Sequence, residues 1–549
     1  MIATTTLPTL LEQHARSRGD HPALRFLQRG EAVTEAASYA ELDAAVAPLA
    51  GGLVQAGLRG VPVVLALPPG LGFVIALLAC LRAGAIAVPV PFPPTGEARL
   101  RQQRVIDDLG EGAVLAAPEA EIDTGRLRRL DPATLRAPLD TPPPPPEAPA
   151  VIQYSSGSTR APAGIVISHA NLMANQRMIS EAFGSGSDIV AVNWLPPHHD
   201  MGLFGAILHP LFLGGTAVLM PPFAFIQKPL RWLAAIAAHR GTVAGGPNFG
   251  YELCLRRVSA AQAAGLDLTS LGVTFCGAEP VRAESLRRFA AHLAPAGFDA
   301  ASLLPCYGLA EATLLVTGVV KGSGLREVSA GAAGRRQVTC GSPPAGCFVT
   351  IRDPEGADRM PQGAAGEICI AGPHLAAGLW QGDSATIAPL PGLLQAEGEC
   401  WLRTGDIGAM TGDGLVILDR IKDTVIAHGR KIYAADAEAA AFEAAGPLLS
   451  AAAAIGLPGT EGDRLVLLCE VSVAERRSLA PEPLRRRIAE QVGQRCGMLP
   501  DVVLLGFGTL PRTTSGKIRH QAARQAFLDG HLKLLPSENP VEAEPWAST

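Results

Sequence analysis

Six segments of this 549-residue chain gather hydroxyls, glycines, imidazoles and charges at spacings able to do chemistry. In Tyr154-Ser-Ser-Gly-Ser-Thr-Arg-Ala-Pro-Ala-Gly164, small residues let backbone N–H groups approach a polyanion, and the hydroxyls add donors or a metal ligand. No Gly-Lys-Ser/Thr follows, so this is not a Walker loop, and its composition alone fits a surface loop equally well. Trp194-Leu-Pro-Pro-His-His-Asp-Met-Gly202 sets His198, His199 and Asp200 side by side. Sequence neighbours seldom converge on one ion, so a pocket wall or a satisfied turn is expected ahead of a metal site. Gly277-Ala-Glu-Pro280 and Tyr307-Gly-Leu-Ala-Glu-Ala-Thr313 each follow an expected strand. A tyrosine beside a glycine can stack a base, and Glu311 can hold Mg²⁺. In Arg403-Thr-Gly-Asp406 a carboxylate can take both hydroxyls of a ribose. Leu510-Pro-Arg-Thr-Thr-Ser-Gly-Lys517 carries one of only six lysines, a point charge suited to phosphate or an ordinary solvated lysine.

The elements that position these groups alternate in an α/β pattern. The chain is too long for one core, so at least two domains are expected. Tyr39–Leu58 has helical spacing; Val63–Leu67, Leu71–Arg82 and Ala85–Val90 read as strand, helix and strand. The uncharged run Val61–Leu81 is long enough to span a bilayer, but Pro62 and Pro68-Pro69-Gly70 break it, so no membrane span is expected. The run Pro142–Pro146 reads as a semi-rigid connector, with an SH3-type ligand as the alternative. Leu271–Cys276 reads as a strand, followed by a helix with Val281, Leu286, Phe289, Ala290 and Leu293 on one face. Beyond Leu418 the texture changes to a small α+β domain. Strands Leu415–Asp419 and Thr424–His428 flank the Arg420-Ile-Lys-Asp connection. A helix from Ala434, strands near 451–456 and 464–471, and a helix at 482–495 follow. Hydrophobic residues at 48% and charged residues at 18% exclude a disordered chain, and a net charge of -5 gives no reason to expect nucleic acid. Ten cysteines without a C-x-x-C pair indicate reduced thiols, and with no signal peptide visible, a cytoplasmic protein.

Together and in this order, the motifs resemble the AMP-forming adenylate-forming ligases, from about residue 10 to about residue 530. Asn193–Gly202, Gly246-Pro-Asn-Phe-Gly-Tyr-Glu-Leu-Cys254, Gly277-Ala-Glu-Pro-Val-Arg282, Pro305–Thr313 and Leu510–Ile518 look like the fatty acyl-AMP ligases in particular. These activate a fatty acid with ATP and pass the acyl group to the phosphopantetheine thiol of an acyl carrier protein. The resemblance implies a large N-terminal α/β domain (1–418), a hinge (419–422, with Asp419 and Lys422) and a small mobile α+β C-terminal domain (423–549). It implies that Ser155, Ser156, Gly157, Ser158 and Thr159 grip phosphates, with Thr159 and Glu311 near Mg²⁺. Gly277, Ala278, Glu279, Tyr307 and Gly308 would frame adenine, and Asp406 and Arg420 would hold the ribose. Lys517 would bridge carboxylate and α-phosphate in the adenylation step. His199, Met201, Asn248, Phe249 and Tyr251 would line the acyl channel, and Lys431 would lie on the face presented in the second step.

Two departures stand out. The family's phosphate loop reads T-S-G-S-T-G-x-P-K-G; here Arg160 replaces a glycine and Ala163 the lysine. Fatty acyl-AMP ligases also carry an insertion that restrains the small domain and disfavours CoA; its expected place, Gly318–Val338, looks short for one. Three readings are therefore carried forward: a carrier-loading ligase, an acyl- or aryl-CoA ligase, and a degenerate adenylate-binding module.

Overall fold

The computed structural model describes the chain except residues 1–4, 95, 155–162, 331–334, 383–385, 428–429, 458–463, 474–479, 513–517 and 536–549. Two eight-stranded sheets dominate. In the first, parallel strands Leu303–Gly308, Val273–Cys276, Val243–Gly246, Val190–Asn193, Thr216–Leu219 and Pro22–Phe26 lie in that order, with antiparallel strands at both edges. The second runs Gly378–Gln381, Gly164–Ser168, Pro149–Tyr154, Ile86–Pro89, Pro62–Leu65 and Ala113–Leu115 through its centre. Central strands such as Pro62–Leu65 and Val273–Cys276 are buried at every residue, which is why they read as continuous apolar runs.

The uncharged run thus resolves into a strand at Pro62–Leu65, a helix at Leu71–Ala83 and a strand at Ile86–Pro89. The helix is buried on nearly all sides and stops at Gly84, whose φ of 72° is the left-handed conformation glycine adopts freely. Among the described residues, no helix is long and apolar enough to cross a membrane.

A five-stranded sheet follows, in which Glu399–Thr411 pairs with Gly366–Ala371 on one side and with both Leu393–Ala396 and Gly414–Arg420. The expected strand Leu415–Asp419 is therefore the last strand of this sheet, one residue longer at each end. After a single turn at Ile421–Asp423, the chain builds a separate core. There Leu449–Leu457, Arg464–Val471 and Asp501–Leu505 form a sheet with Ala434–Ala445 and Pro481–Cys496 on one face and His520–Leu528 on the other. The last strand and last helix were missed from sequence: one is short, and the other follows the Lys517 loop without an apolar period long enough to stand out.

Candidate active site

The C-terminal ends of the first sheet's parallel strands open onto a cleft of about 1480 Å³ that the small α+β unit closes from the other side. Its wall carries His199, Met201, Asn248, Phe249, Ala278, Glu279, Tyr307, Gly308, Glu311, Asp406, Asp419, Arg420 and Lys422. Residues separated by more than 200 positions in sequence are thus brought together. Ser155, Ser156, Gly157, Ser158, Thr159, Arg160 and Lys517 lie outside the described residues.

Local register explains how Asp406 reaches the cleft. Opposite Gly366–Ala371, the partner of Glu367 is Ile407 and the partner of Cys369 is Arg403, so residues 404–406 bulge from the ladder. Gly405 makes this turn at φ 73°, and the buried Glu367 holds it by accepting from Gly405 N at 3.0 Å and Arg403 Nε at 2.6 Å. Asp406, itself buried, then accepts from the Tyr307 hydroxyl at 2.6 Å and from Arg420 Nε at 3.1 Å. Burial, with Asp406 beside it, pushes the Tyr307 phenol well above its ordinary pKa, so it stays a donor. Gly308 sits against the Leu314 carbonyl, which an added Cβ would overlap.

The Gly277-Ala-Glu-Pro loop holds two surprises. Ala278 has φ 67°, a conformation costing a non-glycine residue about 1–2 kcal/mol, at the mouth of the cleft. Glu279 does not simply face the cleft: its Oε1 accepts from Phe249 N at 2.5 Å, capping the helix Asn248–Arg257 from a distant loop. Asn248 Oδ1 in turn accepts from Arg282 N at 3.0 Å, and its amide donates to Ser285 Oγ at 3.3 Å. Two loops that follow adjacent parallel strands are therefore stitched together.

Tyr251 is a correction. It is fully buried, packs edge-on against Phe289 and donates to the Phe275 carbonyl at 2.5 Å, so it supports the helix from behind instead of lining the cleft. Gly277 likewise lies off the cleft wall, against Cys306. Val281 precedes the helix Ala283–Leu293 instead of sharing its buried face.

The His198-His199-Asp200 run is a turn into the π-helical segment Met201–Leu208, with Asp200 Oδ1 accepting from Met201 N at 2.7 Å. Burial pulls His198 down to about 4, so it is neutral, and its carbonyl accepts from Gln153 Nε2 at 2.7 Å. Among the described residues no group of three or more His, Cys, Asp or Glu could hold a metal by itself. Glu311 nevertheless suits one position of a divalent ion: burial raises its pKa, and Asp200 and Asp406 add to this, a field that a cation would reverse. Mg²⁺ takes one or two carboxylates and completes its shell with phosphate and water, so this donor set fits.

Several cleft residues carry no role in the sequence reading, among them Gln153, Glu438 and His520. Of these three, His520 lies nearest a motif, two positions beyond the end of Leu510–Ile518.

This architecture, two abutting sheets with a small unit over their strand ends, is that of the adenylate-forming ligases. A solved chain from work on fatty acyl-adenylate ligases of E. coli and L. pneumophila superposes with a TM-score of 0.82 at 30% identity, covering 96% of this chain and 98% of that one. Residues 11–380 match the AMP-binding enzyme family, and the chain belongs to it. Curated relatives include the medium-chain-fatty-acid–[acyl-carrier-protein] ligase JamA of Moorena producens (strain JHB), 34% identical over 96% of both chains. The long-chain-fatty-acid–AMP ligase FadD26 of Mycobacterium marinum is 33% identical over 97% of this chain and 99% of its own. The 4-hydroxyphenylalkanoate adenylyltransferase of Mycobacterium tuberculosis is 32% identical over 97% and 93%.

Proposed function

We propose that this enzyme activates a fatty acid with ATP and loads it onto the phosphopantetheine thiol of a holo acyl carrier protein. The observation that carries this reading is the end-to-end likeness to JamA, together with the cleft that gathers the motif residues. In the first step a carboxylate oxygen attacks the α-phosphorus and the bond to the β-phosphate oxygen breaks, giving acyl-AMP and pyrophosphate. In the second, the thiolate sulfur attacks the acyl carbonyl and AMP leaves.

Within this reading Asp406, fixed by Tyr307 and Arg420, receives the ribose hydroxyls, and Tyr307 and Gly308 flank the base. Ser155–Thr159 grip the phosphates, and Lys517 stabilises charge on the pentacoordinate phosphorus. Thr159 and Glu311 would hold Mg²⁺, whose contribution is to neutralise phosphate charge. His199, Met201, Asn248 and Phe249 form the acyl wall. The 1–418 unit is the binding domain, residues 419–422 the hinge and 423–549 the mobile unit; rotation there withdraws the Lys517 loop before thioester formation. A carrier rather than free CoA is favoured by the hairpin Glu327–Ala330/Arg335–Val338. Short as it is, it bears on the small unit through Gln337 Nε2 on Asp436 Oδ1 at 3.4 Å, and its Val328 packs against the same Ile407–Leu418 cluster as Tyr433. Ten unbridged cysteines agree with a reducing cytoplasm.

A second reading changes only the acid. The likeness to the 4-hydroxyphenylalkanoate enzyme makes an aryl-tailed acid the alternative. Mass spectrometry of products from a panel of fatty and aryl acids with ATP and Mg²⁺ tests both, before and after adding CoA or holo-carrier. Acyl-adenylate that persists with CoA but is consumed by holo-carrier is the expected result. Rapid conversion to acyl-CoA would make the enzyme a CoA ligase, and no adenylate from any acid would refute the activity.

A further inference from the structure

Away from the nucleotide motifs the cleft continues as an apolar arm between four elements. Ile179 and Phe183 come from the helix His169–Phe183, and Met201 and Gly205 from the π-helical segment. Phe275 comes from the strand Val273–Cys276, and Leu314 stands just before the strand Leu315–Gly318. The helix is bonded to Leu315 through Asn175 and reaches Gly318 with Ala182, whose methyl would lie 3.4 Å from a Cβ added there. Ile179 and then Phe183 therefore lie progressively farther from the motif residues. At the deep end Phe183 stacks on Phe275, with ring centroids 5.7 Å apart and planes 17° from parallel.

Two adjacent amides fix the width of this arm. Asn175 and Gln176 are fully buried in the helix. Asn175 donates to the Leu315 carbonyl at 2.8 Å and accepts from Leu315 N at 3.1 Å, which holds the wall at Leu314. Gln176 donates to the Phe204 carbonyl at 3.0 Å, and its Oε1 lies 2.9 Å from His209 Nδ1, which holds the wall at Gly205. Buried polar groups satisfied in this way rigidify their surroundings, and a close-packed frame does not widen for a bulkier guest.

Gly205 is the one residue of Met201–Leu208 that is not buried. It lies four positions after Met201, and both face the cleft. π-helical turns of this kind are frequent at functional sites. A Cβ added to Gly205 would lie 3.2 Å from Leu314 Cδ2. Its φ is not positive, so the backbone does not call for glycine here. What the missing side chain supplies is space.

We propose that Gly205 sets the tail length of the acid, and that the acid is an unbranched, unsubstituted fatty acid. Its chain passes between Gly205 and Leu314 toward the Phe183–Phe275 pair. The inference rests on the acid-activating reading above and narrows its substrate to a plain hydrocarbon tail. The six residues of the arm offer no side-chain nitrogen or oxygen, so a hydroxyl on the tail would be buried unpaired.

The test is kcat/KM for adenylation of straight-chain acids of increasing length, in the unmodified enzyme and in Gly205→Leu, Gly205→Ala and Leu314→Ala. Each buried methylene is worth about fourfold in binding, so a leucine that displaces two or three should cost the longest accepted acids about 15- to 50-fold. Acids too short to reach Gly205 should stay within about threefold in Gly205→Leu, which also shows that the variant is folded. Gly205→Ala needs only a small shift of the Leu314 tip and should shorten the optimum less. Leu314→Ala should move the optimum to longer acids and recover part of the length lost in Gly205→Leu. A hydroxyl at the end of a long tail should cost the unmodified enzyme about 10- to 100-fold against the plain acid. If Gly205→Leu loses every acid, Gly205→Ala and Leu314→Ala decide. An unmoved optimum in those two, or equal use of the hydroxylated acid, would overturn the proposal.

Titration calorimetry of the same acids without ATP reads the arm apart from turnover. Affinity should rise about fourfold per methylene in the unmodified enzyme and level off at a shorter chain in Gly205→Leu. Affinity that ignores chain length overturns the proposal. Length-dependent binding with no adenylate from any acid would instead refute the activity and leave the arm standing.

Discussion

Replacing Glu279 by alanine separates two roles for a residue that sequence assigned to the adenine site. The structure shows its carboxylate accepting from Phe249 N at 2.5 Å, at the start of the helix Asn248–Arg257. Pro247, at the helix's N-cap position, makes no side-chain capping hydrogen bond. A hydrogen bond to a charged group is worth about 1.5–3 kcal/mol, and loss of an N-terminal cap costs about 0.5–2 kcal/mol. These describe the same contact and do not add, so about 1.5–3 kcal/mol is the expected loss at the first turn of this helix. Asn248 and Phe249 are cleft-wall residues on that turn. If the whole cost appears in acid binding, KM for the acid rises about 10- to 100-fold, at 1.4 kcal/mol per decade. Glu279→Gln, which keeps an acceptor oxygen but loses the charge, should fall between the two. The assay is pyrophosphate exchange with ATP and acid varied independently. A raised KM for ATP with an unchanged KM for the acid would refute the capping argument and return Glu279 to the adenine site.

Three further outcomes are expected. Tyr307→Phe removes the 2.6 Å bond to Asp406 while Arg420 remains on the carboxylate, so KM for ATP in pyrophosphate exchange should rise about 10- to 100-fold, from about 1.5–3 kcal/mol for a hydrogen bond to a charged group. Asp419 accepts from Ala434 N at 2.6 Å, and burial, with Glu438 and Asp423 nearby, raises its pKa to about 7. A raised carboxylate contributes stability fully below its unfolded pKa of about 3.9 and loses it as pH rises through about 7. Asp419→Asn should therefore flatten the decline in denaturant-unfolding stability over that window; an unaltered slope would exclude Asp419 as its source. Finally, the double variant Arg160→Gly, Ala163→Lys restores the family's phosphate loop and should lower KM for ATP. Unchanged ATP kinetics would show that the two departures in the loop cost nothing in ATP use.

Much of the fold could be read directly from the chain because buried parallel strands and enclosed helices leave local signatures. Val63–Leu67 and Leu71–Arg82 were placed within two residues of their observed ends, since Pro62, Gly70 and Gly84 punctuate them. The helix starting at Ala434 and the strand Arg464–Val471 also began where expected. Motif residues such as Tyr307, Asp406 and Arg420 were legible because backbone constraints keep them in short runs: a bulge needs Gly405, and a close approach needs Gly308.

What sequence determined, then, was the set of candidate site residues and the elements bearing them, because glycine placement, hydroxyl density and apolar period act within a few residues. Only the tertiary structure decided which way the long-range partners turned. Tyr251 and Phe249 are two positions apart on one helix, yet one supports the core and the other faces the cleft. Glu279 caps a helix that begins 31 residues earlier, and His520 finds Glu438 across 82 positions. Such pairings depend on where strands cross and helices pack, and a charged side chain carries no local mark of the partner that burial will force upon it.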